Sequence, residues 1–276
     1  EMADPAAIAE TTPEGFREVW EPLLEQGPIE VLVFGDFDKA EGIAALTRTF
    51  GALDQREELA SDVANEGFGF PEPGETVVRY HNGDANQAAA VIAWPSGAGV
   101  DGLPESRQLE ILTQVFNNRL MDAMRERAGA SYAPVINSQW PTDVASGGRI
   151  TAFAQLRPED VPAFFVAADK IGQDLATTPP SADELQRVTE PLLQYVNRVS
   201  TGNLFWLFHL EGSTQDPARI GLLRSLLNDL TQTTPERMQA LAQKYFGRTR
   251  GWRMAVIPEG QELATRVTTA PVEAGR

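Results

Sequence analysis

The chain has 276 residues, 42% of them hydrophobic, which is enough to bury one large core or two modest ones. Its 39 acidic and 23 basic side chains give a formal net charge of −16, and such a surface repels phosphate backbones and anionic membranes. We therefore expect no nucleic acid and no membrane among its partners. The absence of cysteine excludes disulfides, thiolate nucleophiles and cysteine-ligated metal sites.

Two segments of the chain follow the same plan, each starting with Thr-Pro-Glu. Residues 12–36 and 234–259 both read as a threonine-capped helix with proline at its first position, then a glycine-containing turn and a strand. The strands are expected at 29–34 and 252–257, and the distance from threonine to strand agrees to within a residue. This partial repeat predicts that the second copy closes a complete module and that the first copy closes an earlier one.

The repeat suggests a division of the chain into four parts. Residues 1–52 read as the C-terminal helix–strand–helix tail of a preceding homologous module, and the Gly-, Pro- and acid-rich residues 53–75 as a linker. Residues 76–262 read as a complete α+β module, followed by a tail at 263–276.

The complete module opens with two strands, 76–81 and 87–94, joined by a turn at Asn82-Gly83-Asp84 that predicts a hairpin. The elements expected after it are a helix at 104–128, strands at 131–140 and 149–156, helices at 158–176, 182–210, 217–230 and 235–246, and a strand at 252–257. We interpret the aromatic cluster Phe205, Trp206 and Phe208 as helix-packing core. This order predicts an α+β fold with a mostly antiparallel sheet covered on one face by helices.

The sequence offers little for metal or cofactor chemistry. The two histidines, His81 and His209, lack a second histidine at helical spacing, so neither H-E-x-x-H nor H-x-x-E-H is present. Each is most simply an imidazole with a local partner. Phosphate-binding loops and serine-nucleophile motifs are also missing, so a free-standing small-molecule enzyme has little support. We expect no metal and no cofactor in this chain.

Arg125 and Tyr132 are the most informative pair of residues. Arg125 is expected near the end of an amphipathic helix that Gly129 terminates, and Tyr132 at the start of the strand that follows. Both can donate strong hydrogen bonds to a peptide carbonyl or a developing oxyanion. From the pattern alone, a structural interpretation remains open: Arg125 could form an ion pair with Asp122, and Tyr132 could be an ordinary strand aromatic.

The same stretch resembles the Arg-Leu … Arg-Glu-x-x-Gly-x-x-Tyr signature of the insulinase/pitrilysin family of zinc metallopeptidases. The matching residues are Arg119-Leu120, Arg125-Glu126, Gly129 and Tyr132. The resemblance implies the fold of the insulinase and mitochondrial processing peptidase-like metallohydrolases. It also implies two halves that close like a clamshell around a peptide, one carrying zinc on H-x-x-E-H and the other lacking metal.

By this resemblance the chain is the C-terminal, non-metal half of a zinc metalloendopeptidase and is inactive alone. Arg125 and Tyr132 are then the catalytic donors to the substrate carbonyl and the oxyanion, opposite the zinc half. The chain itself needs no cofactor; zinc is implied on the partner half, either N-terminal on the same polypeptide or a separate H-x-x-E-H subunit, and peptides are the substrates. The alternative is a non-catalytic scaffold or assembly subunit of the same superfamily. Localisation is unknown, with periplasmic favoured over cytoplasmic because large bacterial relatives are often exported.

Overall fold

The computed structural model describes residues 4–58, 69–128, 133–247 and 250–264. By its contacts the chain divides into two units. Unit 1 comprises Glu1–Glu66 and Ser200–Pro217, and unit 2 comprises Gly67–Val199 and Ala218–Arg276. Unit 1 thus combines the N-terminal part of the chain with residues 200–217, a segment that in the sequence interrupts unit 2.

Unit 2 contains a five-stranded sheet and five of the described α-helices. The strands are β1 (Val77–His81), β2 (Ala88–Pro95), β3 (Val135–Gln139), β4 (Arg149–Leu156) and β5 (Trp252–Pro258). The helices are α4 (Leu103–Ala128), α5 (Val161–Thr177), α6 (Ala182–Val199), α8 (Ala218–Thr231) and α9 (Pro235–Tyr245). This composition confirms the α+β class predicted from the sequence.

The strand order is β1-β5-β2-β4-β3, and it corrects the predicted hairpin. The two strands on either side of the Asn82-Gly83-Asp84 turn do not pair with each other, because β5 lies between them, parallel to β1 and antiparallel to β2. Skipping a strand requires spanning two inter-strand spacings, about 10 Å, and the six residues 82–87 do this where a two-residue turn could not. The other pairings, β2–β4 and β3–β4, are antiparallel, so the sheet is mostly antiparallel as expected.

The core of unit 2 lies on one face of the sheet. Alternate strand residues such as Ile92, Ile150 and Ala255 are fully buried there and pack with the apolar positions of the helices. The residues between them point to the other face. On that face the strand registers place one apolar row across all five strands: Val77, Met254, Val91, Phe153 and Val135.

Helix α4 is fixed at its start by the indole of Trp140. The indole Nε1–H donates to the carbonyl of Gly99 at 2.9 Å, and the ring fills the space where a Cβ on Gly97 or Gly102 would lie. A Cβ at either glycine would come within 2.1 Å of the ring, so the loop can wrap around the indole only with glycine at both positions. This contact sets where the helix begins.

Further along α4, a polar network ties it to α8. The guanidinium of Arg107 donates to the carboxylate of Asp229 and to the carbonyl of Leu222, and both charged side chains are almost fully buried. The buried amide of Gln108 donates to the backbone carbonyl of Asp229 and accepts from Thr233 at 3.0 Å. Because buried charges and amides are costly without partners, this network strongly favours one placement of α8 against α4.

Unit 1 consists of four described α-helices without a sheet among its described residues. They are α1 (Pro5–Glu10), α2 (Pro13–Leu24), α3 (Lys39–Arg48) and α7 (Asn203–His209). The strand predicted at 29–34 is not formed; the described pairing here is an isolated bridge between Gln26 and Glu57. A strand needs a neighbour for its backbone hydrogen bonds, and the described residues of unit 1 do not provide one beside 29–34.

The long helix predicted over 182–210 is also wrong. The helix continues through Pro191 but ends at Val199, and α7 begins after Gly202, whose backbone is extended with φ −102° and ψ 150°. Within α7, Trp206 and Phe208 are exposed, which contradicts their interpretation as packing core. Two of the three aromatic side chains that the sequence analysis assigned to a core are therefore exposed to solvent in unit 1.

Candidate active site

Arg125 is an exposed side chain near the C-terminal end of α4. The residue before it, Met124, is 1% exposed and anchors this turn of the helix in the core. No hydrogen bond or ion pair joins Arg125 to another residue in the described ranges, so the local ion pair with Asp122 is not formed there. The guanidinium thus presents its donors to solvent from a helix that is packed along its length.

The end of α4 that carries Arg125 is held by a clamp that the sequence did not predict. Two nitrogens of the Arg119 guanidinium donate to the two oxygens of Glu184, at 2.7 and 3.1 Å. Such bidentate pairs fix orientation as well as distance. Arg119 belongs to the Arg-Leu pair of the resemblance, and Glu184 lies at the start of the helix predicted from residue 182, but the spacing of 65 residues gave no sign of their contact.

Glu184 serves two partners at once. Its carboxylate accepts from the backbone N–H of Ser181 at 2.9 Å, while the Ser181 hydroxyl accepts from the N–H of Glu184 at 3.2 Å. This is a capping box, and the helix begins at Ala182, the residue at which the sequence predicted its start. The hydrogen bond from Arg119, opposed by partial burial and assisted by Ser181, lowers the pKa of Glu184 to about 2. The carboxylate therefore stays ionised over the whole physiological range and keeps α4 joined to α6.

The strand that follows the site is also tied to α4. The side-chain oxygen of Asn117 accepts from the backbone N–H of Ile136 at 3.2 Å, and the Ile136 side chain is buried. This bond uses a backbone donor at the outer edge of β3 and fixes the start of the strand to the same helix that carries Arg125. Tyr132, the second candidate donor, and Gly129 lie outside the described residues.

The histidines have local partners, as the sequence suggested. The Nδ1 of His81 accepts from the N–H of Gly83, and its Nε2 lies 2.8 Å from the carbonyl of Gln87, so both ring nitrogens are used within the turn. His209 bonds the carbonyl of Phe205 at 2.8 Å and stacks on its ring. Among the described residues, no three His, Asp or Glu side chains lie close enough together to hold a metal ion.

A groove of about 1140 Å³ lies on the open face of the sheet in unit 2. Its lining includes Phe70, Val91, Ala93, Trp140 and Trp252, and Arg149 is the charged residue among those that line it. Large, mostly apolar grooves with few polar groups are typical of binding surfaces. This surface was not predicted from the sequence, because the residues that line it come from strands and loops that are far apart in the chain.

None of the helices in the described part of the chain is long and apolar enough to cross a membrane.

The family model described as the peptidase M16 inactive domain matches residues 12–192, more than half of the chain. No curated protein matches the chain significantly.

Several solved structures share the fold. A conserved protein from Enterococcus faecalis V583 gives a TM-score of 0.71 at 14% identity, over 93% of this chain and 58% of that protein. The peptidase M16 inactive domain from Pseudomonas fluorescens gives 0.63 at 16% identity, over 81% of this chain and 52% of that one. The periplasmic protease PqqL from Escherichia coli gives 0.65 at 14% identity, over 82% of this chain and 25% of the protease.

The chain thus spans between a quarter and three fifths of the length of these structures. Identities this low show the fold alone, whereas the family match extends over the Arg-Leu and Arg-Glu motifs from which the resemblance was drawn. The resemblance to the non-metal half of the insulinase-type proteases is confirmed, and the chain belongs to the peptidase M16 inactive domain family.

Proposed function

We propose that this chain is the non-metal half of a zinc metalloendopeptidase, and that it supplies Arg125 and Tyr132 to the peptide held between the two halves. The partner is a zinc-bearing half with an H-x-x-E-H motif, on the same polypeptide or in a separate subunit. The two halves close around the substrate as a clamshell, and the isolated chain is inactive. The compartment we favour is the periplasm, because the similar protease PqqL is described as periplasmic.

The observation that supports this proposal best is the state of Arg125 in a chain of this family. Its guanidinium is exposed and has no partner among the described residues, yet the turn that carries it is anchored by buried Met124 and by the Arg119–Glu184 clamp. A free donor on a rigid element is the arrangement needed for electrostatic stabilisation, because the donor need not reorganise when charge develops.

In this function the two donors act on oxygen atoms of the substrate. The guanidinium of Arg125 and the phenol of Tyr132 together hold the carbonyl groups of the scissile region and donate to the oxygen that gains negative charge as the carbonyl carbon becomes tetrahedral. Zinc bound by the partner half would supply the activated water. The apolar row on the open sheet face, together with the adjoining groove, offers a surface for the flanking residues of the peptide.

The test is substitution of Arg125 in the assembled peptidase. Loss of one oxyanion donor typically costs about 3 kcal/mol, so we expect Arg125→Gln to lower kcat about a hundredfold, with zinc content and circular dichroism unchanged. The matched control is Arg187→Gln, since Arg187 is also an exposed helical arginine, and among the described residues its ion pair is with Asp183, one helical turn away. Equal turnover in the wild type and Arg125→Gln would refute the role of Arg125.

A scaffold or assembly subunit is the second candidate, favoured by the family's description as an inactive domain. It predicts the same fold without peptide hydrolysis anywhere in the complex. An assay of peptide hydrolysis by the complex distinguishes the two candidate functions. A peptidase complex loses activity when zinc is chelated and regains it when zinc is restored, whereas a scaffold complex is inactive throughout. A partner half that lacks H-x-x-E-H would favour the scaffold.

A further inference from the structure

The groove on the open face of the sheet in unit 2 has an apolar floor. Val91 and Ala93 of β2 alternate with the core residues of that strand, and Ala93 lies opposite Trp252 in the antiparallel register with β5. Phe70, from the stretch that precedes β1, adds a second aromatic ring to the lining. This part of the groove therefore suits an apolar side chain of a ligand.

Two loops meet where β2 ends and β4 begins, and both line the same groove. The backbone N–H of Ser96 donates to the carbonyl of Gly148 at 2.8 Å. A Cβ on Gly148 would lie 1.8 Å from the carbonyl oxygen of Gly97, so the two loops approach each other as closely as they do only with glycine at 148. A peptide lying along the floor meets these loops at the end of the strands.

Arg149 gives this end of the groove a positive charge. It is exposed and lies opposite Pro95 in the register of β2 with β4. Within the described ranges, no hydrogen bond or ion pair joins its guanidinium to another residue. Asp143, the acid closest to it in the sequence, accepts instead from Arg219 at 2.8 Å. The chain has a net charge of −16, yet the charge in this groove is a cation, so the groove is complementary to an anionic group.

Ser146 provides a second polar group at the same end. Its Oγ is buried and has no hydrogen-bond partner in the part of the chain that the structure describes. Leaving a buried hydroxyl unpaired is unfavourable, and most such groups in folded proteins have a partner. Ser146 lines the groove and lies three residues before Arg149 in the chain. A ligand oxygen at this end would give the hydroxyl the acceptor that it lacks.

We infer that the groove binds the C-terminal end of a peptide, with the free carboxylate on Arg149 and an apolar last side chain on the floor beside Trp252. The guanidinium donates to the two carboxylate oxygens, and the hydroxyl of Ser146 donates a further hydrogen bond. The inference rests on the proposed function, because it names the substrate class of the peptidase: peptides that end in an apolar residue with an uncapped carboxylate. Arg149 and Ser146 determine specificity through binding and take no part in bond cleavage.

An acidic side chain in the middle of a peptide fits the groove less well. Its backbone would have to continue on both sides of the acid, and the loops that meet at Gly148 obstruct the path beyond Arg149. A chain end needs no such path, and its carboxylate directly follows its last side chain. The arrangement of an apolar floor that leads to a cation therefore favours a terminal carboxylate.

The test measures binding in the assembled protein after its zinc has been removed with a chelator, so that no peptide is cleaved. The probes are two fluorescein-labelled peptides of the sequence Ala-Ser-Ala-Ala-Leu-Phe, one with a free carboxylate and the other with a carboxamide at its C-terminus. By fluorescence anisotropy, the wild type should bind the free acid at least about tenfold more tightly than the amide. Arg149→Gln should bind both peptides with the affinity that the wild type has for the amide.

Two further variants check that the effect is specific. Arg79→Gln is the matched control, because Arg79 is also an exposed arginine on the open face of the sheet but lies outside the groove lining. It should keep the full preference for the free acid. Ser146→Ala should weaken binding of the free acid about threefold without lowering the denaturation midpoint, since its hydroxyl has no described partner to lose.

A third peptide, with glutamate in place of leucine and a carboxamide end, distinguishes a terminal carboxylate from an acidic side chain. The inference would be overturned by tight binding of this peptide, by equal wild-type affinities for the free acid and the amide, or by an unchanged preference in Arg149→Gln. Because binding is measured without zinc, the result does not depend on turnover. A preference for the free acid together with full activity of Arg125→Gln would refute the catalytic role of Arg125 and leave this binding site standing.

Discussion

Helices α2 and α9 show how far a local sequence signal determines structure. Both begin with the same threonine cap and N-terminal proline, and both form. The apolar face of α9 is buried against α4 and α5, whereas the apolar face of α2 is exposed. Caps and helical spacing therefore specify a helix and the face it will bury, but the partner that covers this face is a property of the surrounding chain.

The same contrast holds for the two units as wholes. The buried hydrophobic cluster described for the chain is drawn entirely from unit 2. In the described part of unit 1 the polar contacts stand out instead: the carboxylate of Glu30 accepts from Gly212 and Thr214, and the guanidinium of Arg56 donates to the carbonyls of Gln26 and Gly27. Surface contacts of this kind stabilise less than core packing, so the units should respond differently to equivalent mutations.

The largest expected difference is between Met238→Ala and Phe16→Ala, two truncations at the same position of the repeat. Met238→Ala removes a fully buried side chain from the core and should lower the free energy of unfolding by about 2–5 kcal/mol. Phe16→Ala removes an exposed side chain and should change it by less than about 0.5 kcal/mol in the isolated chain. Urea denaturation followed by circular dichroism measures both.

The same two variants can also be compared in the assembled protein. If residues 12–36 complete a neighbouring module, as the repeat predicts, Phe16→Ala should become as costly there as Met238→Ala is in unit 2. A small effect of Phe16→Ala in both settings would contradict the equivalence of the two copies.

A smaller, pH-dependent effect is expected from the clamp on α4. Because Arg119 lowers the pKa of Glu184 from about 4.5 to about 2 in the folded chain, the clamp stabilises fully above pH 4.5 and is lost as the pH falls towards 2. Glu184 is 35% exposed, so solvent screening limits this contribution to about 1–2 kcal/mol.

The matching variant is Glu184→Gln. At pH 7 it should unfold more easily than the wild type, and its stability should fall less between pH 5 and pH 2. Denaturation midpoints measured across this pH range give the comparison. The control is Asp183→Asn, because in the part of the chain that the structure describes Asp183 pairs with the exposed Arg187 and not with the clamp. Parallel pH profiles for the wild type and Glu184→Gln would show that the ion pair does not stabilise the fold.

Features specified by short stretches of sequence were predictable. The threonine caps, the helix start at residue 182 and the helical spacing of α4 are local, and each was found where the pattern placed it. The failures concern long-range pairing. The turn at residues 82–87 predicted a hairpin, but the insertion of β5 depends on residues about 170 positions away, and the strand at 29–34 has no partner in the described chain.

The candidate site likewise contains residues that the sequence pointed to and residues that it did not. A resemblance in sequence singled out Arg125 and Tyr132, and the exposure of Arg125 agrees with a side chain available to a substrate. The residues that support Arg125 were not assigned this role in advance, because Arg119 and Glu184 lie far apart in the chain and Asn117 acts on a strand through its side-chain oxygen. Tertiary contacts of this kind leave no local pattern.

Hydrogen exchange can compare the two segments of the repeat at their strand positions, β5 and residues 29–34. In the isolated chain the amides of β5 should exchange slowly and those of residues 29–34 rapidly, because only β5 is paired on both sides. In the assembled protein residues 29–34 should become protected to a degree comparable with β5. Rapid exchange of residues 29–34 in the assembled protein would contradict the claim that the two copies of the repeat perform the same structural role.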